Sequence, residues 1–140
     1  HPTFILPESV PFTHAAISSF HLDNTDQHIL IGTTNGWILP YEAGKHTDWI
    51  PQTPIKVTNY HISHMLLHNE NTCIVACNEE KKLSVWQKQS QDNWHLITSM
   101  HYQSNIDQLI LNPSQNMFTA VISAKESISY HIPNAATSIG

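Results

Sequence analysis

Residues Ile74–Trp86, IVACNEEKKLSVW, read as an apolar strand, a polar turn and a second strand that closes on a large aromatic. The same framework returns 45 residues earlier and 45 residues later: Ile31, Ala76 and Val121 share this spacing, as do Ile38, Leu83 and Ile128, and Tyr41, Trp86 and His131. One unit is therefore written three times, and whatever fold the chain adopts has to be built by repeating it.

Working outward, each copy shows period-2 strands of five or six residues bounded by turn chemistry, with no sustained i, i+3, i+4 stripe. The first unit has strands at 15–20 and 28–33, then Asn35-Gly36, a pair that favours a type I′ hairpin with φ > 0 at both positions. Its return strand starts at Trp37-Ile38-Leu39, and Pro54–Val57 is expected to form its outer strand, beyond a polar connection at 42–53 that holds Trp49. The second unit has strands at 62–67, 72–77 and 83–86, and WHLITS (94–99) as its outer strand. The third has strands at 106–111, 117–123 and 128–131, with Asn112-Pro113-Ser114-Gln115 as a turn. A short apolar strand at Phe4-Ile5-Leu6 precedes them and is expected to supply the outer edge of a preceding unit. The repeats are bounded at 11–57, 58–99 and 102–140, with 1–10 as the leading outer strand. Self-similarity of 40–45 residues with four short strands per unit is the signature of β-propeller blades.

Composition narrows the function. At 40% hydrophobic the chain can bury a core, and only 12% of its 140 residues are charged. A formal charge of -5 with six Lys+Arg disfavours nucleic acid, whose binding rests on clustered cations. Cys73 and Cys77 sit four apart on one strand, roughly 13 Å at about 3.3 Å per residue, beyond the ~7 Å that a disulfide spans. They are expected to be buried thiols of an intracellular protein, cytoplasmic or nuclear. No apolar run is long enough for membrane insertion. The chain begins His1-Pro2 rather than Met, which is read as processing, trimming or a piece of a longer protein.

Over nearly all of its 140 positions the chain resembles the WD-repeat β-propeller family. Leu109-Ile110-Leu111-Asn112-Pro113-Ser114 matches the strand and turn in the middle of that family's repeat, Asn35-Gly36 its Asp-Gly turn, and Leu83-Ser84-Val85-Trp86 its closing strand. The sequence departs from the family in having no Gly-His dipeptide, Gln87 where Asp would follow Trp86, and Tyr41 and His131 at the positions equivalent to Trp86. The resemblance implies an all-β fold of three four-stranded antiparallel blades, part of a ring that in the family usually closes with seven. The exposed blade faces would then be covered by the remaining blades or by other subunits.

The chemistry-bearing residues point away from catalysis. His64 and His68 share one strand face at about 13 Å, too far for one metal ion whose ligand bonds are near 2.0–2.1 Å. Neighbouring Ser63 and His64 face opposite ways, no nucleophile elbow or phosphate-cradling glycine loop occurs, and the acidic residues are scattered through turns. No enzyme activity, cofactor or metal is expected. The resemblance implies instead a protein-interaction scaffold that holds a protein or peptide partner at one mouth of the ring. The loops before each first strand and between the second and third strands would supply the site: His14, Asn35, Tyr60, His61, Glu80, Lys81, Tyr102 and Lys125, with Tyr60 and Tyr102 as anchors. Two alternatives stay open, a propeller segment of a larger enzyme and a structural subunit of a multiprotein complex.

Overall fold

The structure, a computed structural model, describes residues 3–4, 17–22, 27–45, 48–69, 71–90, 93–123 and 125–133. The first sheet contains β2 (Ile17–Leu22), β3 (His28–Thr33) and β4 (Trp37–Ala43), joined on its outer side by β5 (Asp48–Pro51) and β6 (Ile55–Lys56). The second runs β7 (His64–His68), β8 (Thr72–Cys77), β9 (Lys82–Ser90) and β10 (Asn93–His101) in order. The third has β11 (Gln108–Asn112), β12 (Met117–Ser123) and β13 (Glu126–His131). The pairings among these strands are all antiparallel. The first strands of the sheets lie together, with β7 beside both β2 and β11, so the sheets are arranged as blades around a common inner edge.

Strand alternation assigns one apolar set to each gap between blades. Leu30, Ile38 and Ile55 of the first sheet meet Met65, Leu67, Cys73 and Val75 of the second. The other face of the second sheet sends Leu66, Ile74, Ala76, Leu83 and Val85 against Leu109, Phe118, Ala120 and Ile122 of the third. Since both of its faces are covered, β8 is buried at every residue, which is why TCIVAC reads as a continuous apolar run. Cys73 and Cys77 are buried free thiols within it. On the far face of the first sheet Ile29, Ile31, Leu39 and Tyr41 form a third cluster, with Trp37 and Trp49 half-buried against it.

Two expectations about the edges are corrected. Of the expected leading strand only Phe4 is among the described residues: Thr3–Phe4, here β1, pairs in parallel with Asp48–Trp49 of β5, on the outer side of the first sheet and not on a preceding one, while Ile5 and Leu6 lie outside the described residues. The outer strand of the first unit is also broken in two. Pro51, Ile50 and Trp49 of β5 pair with Tyr41, Glu42 and Ala43, whereas Lys56 and Ile55 of β6 pair with Trp37 and Ile38. Pro54 lacks an N–H to donate, and the chain leaves the ladder around it. Trp49 accordingly belongs to a strand and not to a connection.

The third sheet's far face differs from the covered ones. It carries Gln108, Thr119, Ser127 and Ser129 around Ile110 and Val121, and the Thr119 and Ser129 hydroxyls bond across the strands at 2.8 Å.

Candidate protein-interaction surface

At one end of the blades, the turns between second and third strands meet the connections that lead into the next sheet. Asn35-Gly36 is not a two-residue type I′ turn: Asn35 is not among the described residues with positive φ, while Gly36 is, at 88°. The loop is 34–36, closed by the Gly36 N–H on the Thr33 carbonyl at 3.3 Å, the three-residue hairpin form that ends in a left-handed residue. A Cβ on Gly36 would lie 1.8 Å from the Thr58 carbonyl oxygen, so glycine is needed for contact as well as for φ. Thr33 ties the turn internally, donating to Asn35 Oδ1 at 2.6 Å and accepting from the Trp37 N–H at 3.0 Å.

The same construction recurs 45 residues on. Lys81 replaces Gly36, takes φ 49°, and its N–H closes the turn on the Asn78 carbonyl at 3.1 Å. Each left-handed residue then uses its own carbonyl to hold the connection from the outer strand. The Val57 N–H donates to Gly36 at 2.9 Å, and the Tyr102 N–H donates to Lys81 at 2.8 Å. Further along, the Ile62 N–H donates to the Thr33 carbonyl at 3.1 Å. At the repeat-related position Asn78 does this with its side chain: its Oδ1 accepts from the Ile106 N–H at 2.8 Å and its Nδ2 donates to the Ile106 carbonyl at 3.0 Å. Turns and connections are thereby fixed against each other.

These bonds sort the expected site residues. Tyr60 is 48% exposed, on the connection into the second sheet. His61, Glu79 and Lys81, with Asn78 and Asn105, line an open depression of about 370 Å³. Lys125 is exposed on the third hairpin, its N–H donating to Ser123 Oγ at 3.3 Å. Glu80 turns inward: its Oε1 accepts from the hydroxyl of buried Thr58, and it lies 4.0 Å from Lys82 Nζ. Asn35 is committed to its own turn and accepts at its carbonyl from Lys56 Nζ at 2.7 Å. Tyr102 is half-buried against the core between second and third sheets, its hydroxyl bonded to that of Tyr130. Burial, and then the Tyr130 hydroxyl, pushes the Tyr102 pKa well above the ordinary phenol value. His14 lies outside the described residues.

Asn105 and Thr58 were not anticipated. Thr58 would have been found only by pairing each connection with the hairpin that it crosses. Among the described residues no three His, Cys, Asp or Glu side chains form a group able to hold a metal ion. At the opposite end of the blades, buried His68 donates from Nε2 to Asn116 Oδ1 at 2.8 Å, and Asn116 Nδ2 donates to the Ile132 carbonyl at 3.1 Å. That contact joins the second and third sheets, and His64 stands at the other end of the same strand.

No family model matches the sequence, and no curated protein matches it. The fold does match solved structures. The β-propeller domain of Cps50 (Swd1) from Myceliophteria thermophila aligns with a TM-score of 0.65 and 11% identity, over 96% of this chain and 46% of that one. The chain is thus an all-β protein with a β-propeller fold, and it spans just under half of that domain's length.

Proposed function

We propose that the chain is a non-catalytic, WD-repeat-like scaffold segment that holds a protein or peptide partner at the end of the blades where Tyr60, His61, Glu79 and Lys81 meet. The observation that carries this reading is the open depression of about 370 Å³ walled by His61, Glu79 and Lys81, with Tyr60 48% exposed on the segment that forms one wall. Its loops are tied by backbone hydrogen bonds, so a partner loses little free energy in ordering them. Tyr60 serves as the anchor, since an exposed phenol adds large contact area with few rotatable bonds. Glu79, Lys81 and Lys125 supply mixed charge at the margin, which sets specificity and association rate more than raw affinity. Glu80, Asn35 and Tyr102 act one step back, by shaping the turns. The two buried free thiols support an intracellular setting, cytoplasmic or nuclear.

The test is to place a photo-reactive residue at position 60 in the full-length protein, identify the cross-linked partner, purify it and titrate it against variants. Tyr60→Ala and Lys81→Glu should each weaken the complex roughly tenfold or more, and Ile110→Ser on the third sheet's far face should leave it intact. Unchanged affinity for both rim variants, with loss for Ile110→Ser, would overturn the assignment.

A further inference from the structure

Asn35-Gly36 is the only place in the chain where glycine follows asparagine; every other asparagine precedes a residue that carries a side chain. Glycine places nothing between its own backbone nitrogen and the neighbouring amide, so that nitrogen can close on Asn35 Cγ. Spontaneous deamidation begins with this ring closure, and the hairpin around the pair bears on both reacting groups.

Thr33 Oγ1 donates to Asn35 Oδ1 at 2.6 Å while accepting from the Trp37 N–H at 3.0 Å. The hydroxyl is thereby polarised toward the oxygen on which negative charge develops when Cγ is attacked. The attacking nitrogen is held loosely. Its N–H reaches the Thr33 carbonyl at 3.3 Å, and that carbonyl also accepts from the Ile62 N–H at 3.1 Å, so it keeps a partner when Gly36 turns away. Lys56 Nζ donates to the Asn35 carbonyl oxygen at 2.7 Å and is steadied 5.4 Å from the Trp37 ring centre. A cation on that oxygen draws electrons from the peptide and makes the Gly36 N–H easier to deprotonate. Thr33 is buried, but Asn35 is only half-buried and Thr34 beside it is exposed, so water reaches the amide.

We propose that Asn35 is a spontaneous deamidation site promoted by the folded hairpin, with Thr33 as donor to the developing oxyanion and Lys56 directing the product to isoaspartate. The Gly36 nitrogen loses its proton to water and bonds to Asn35 Cγ. The Cγ–Nδ2 bond then breaks, and Nδ2 takes a proton from water and leaves as ammonia, giving a succinimide. Water next adds to one imide carbonyl and splits its C–N bond. Addition at Cγ gives aspartate, whereas addition at the backbone carbonyl, whose oxygen faces Lys56, gives isoaspartate. Isoaspartate inserts a methylene into the main chain directly before Gly36, whose carbonyl accepts from the Val57 and Thr58 N–H groups at 2.9 and 3.3 Å. At Gly36 a single added Cβ would already meet the Thr58 carbonyl oxygen at 1.8 Å, so the longer chain unlatches the hairpin from the connection that carries Tyr60. Asn78 is the internal control, since Glu79 follows it and Ile106 holds both ends of its amide.

The test ages the full-length protein at neutral pH and body temperature, both native and in urea, and then digests it. A mass gain of about 1 Da on the peptide containing position 35 counts deamidation, and enzymatic methylation of the isoaspartyl carboxylate counts isoaspartate. Native conversion at least as fast as that in urea is expected, with Asn78 unconverted in the native protein. Thr33→Val should slow the native reaction about tenfold or more and leave the reaction in urea unchanged, while Thr33→Ser, which keeps the hydroxyl, should retain the native rate. Lys56→Met, a surface change, should lower the isoaspartate share in the native protein only. The Val57 and Thr58 amides of the isoaspartyl form should exchange faster than those of the parent. Native conversion much slower than in urea, an unchanged native rate in Thr33→Val, or the same isoaspartate share with and without Lys56 would each overturn the proposal. None of these readouts involves a partner, so the outcome is independent of the rim assignment.

Discussion

Asn78 grips the backbone of Ile106 with both ends of its amide, accepting from the N–H at 2.8 Å and donating to the carbonyl at 3.0 Å. The side chain acts as a short length of strand, closing the gap between the second hairpin and the entry to the third sheet. Ile106 is fully buried, so without Asn78 its polar backbone groups would have neither partner nor water. Asn78→Ala should destabilise the protein by about 2–3 kcal/mol, for two lost bonds and a buried unsatisfied group. Asn78→Asp, which keeps the acceptor and loses the donor, should fall between. The shift of the urea midpoint measures both.

The two left-handed turn residues predict opposite outcomes. Gly36→Ala forces a Cβ to within 1.8 Å of the Thr58 carbonyl oxygen at φ 88°, and should lower stability by about 2 kcal/mol or more. Lys81→Gly relieves a non-glycine residue at φ 49° and should raise stability by up to about 1 kcal/mol. Because Lys81 also borders the depression, that same change should weaken the partner. Thermal melts and partner titration of one variant separate the two effects.

Thr58 and Glu80 form a pair whose removal is measurable by a double-mutant cycle. The Thr58 hydroxyl donates to Glu80 Oε1 across the joint between the first connection and the second hairpin. Thr58→Val and Glu80→Gln should each cost about 1 kcal/mol, with a coupling energy of at least about 0.5 kcal/mol. Additive effects would show that the contact contributes nothing.

Stability should fall as pH rises into the alkaline range. Burial raises the Cys73 thiol above its ordinary value of 9.0, and burial with the Tyr130 hydroxyl raises Tyr102 above 10.0. A raised folded-state pKa means that the unfolded chain loses its proton first. The stabilising contribution is therefore complete below about pH 9 and is lost progressively above it. Urea midpoints from pH 8 to 11 should decline, and Cys73→Val with Tyr102→Phe should flatten the decline.

Much of the fold was legible because the 45-residue spacing carries hydrogen bonds as well as side chains. Gly36 and Lys81 hold Val57 and Tyr102, themselves 45 apart, by the same carbonyl bond. Strands at 28–33, 72–77 and 117–123 fall where alternation and turn residues put them. The split outer strand was not legible, since Trp49 sits among polar residues and only pairing with Ala43 makes it a strand residue. Of the residues proposed for the site, the location of Tyr60, His61 and Lys81 at one end of the blades was readable from position in the repeat, whereas the contact of Glu80 with Thr58, 22 residues away, was not. Lysine has no preference for positive φ, so nothing in NEEKK marked Lys81 as the counterpart of Gly36 except the spacing.

Hydrogen exchange of the full-length protein, free and bound to its purified partner, tests the central claim most directly. The account predicts new protection at 59–61, 79–81 and 103–105, with the outer strand of the second sheet at 94–99 unchanged. Protection confined to 94–99 or to the third sheet's far face, with 59–61 and 79–81 exchanging as in the free protein, would contradict it.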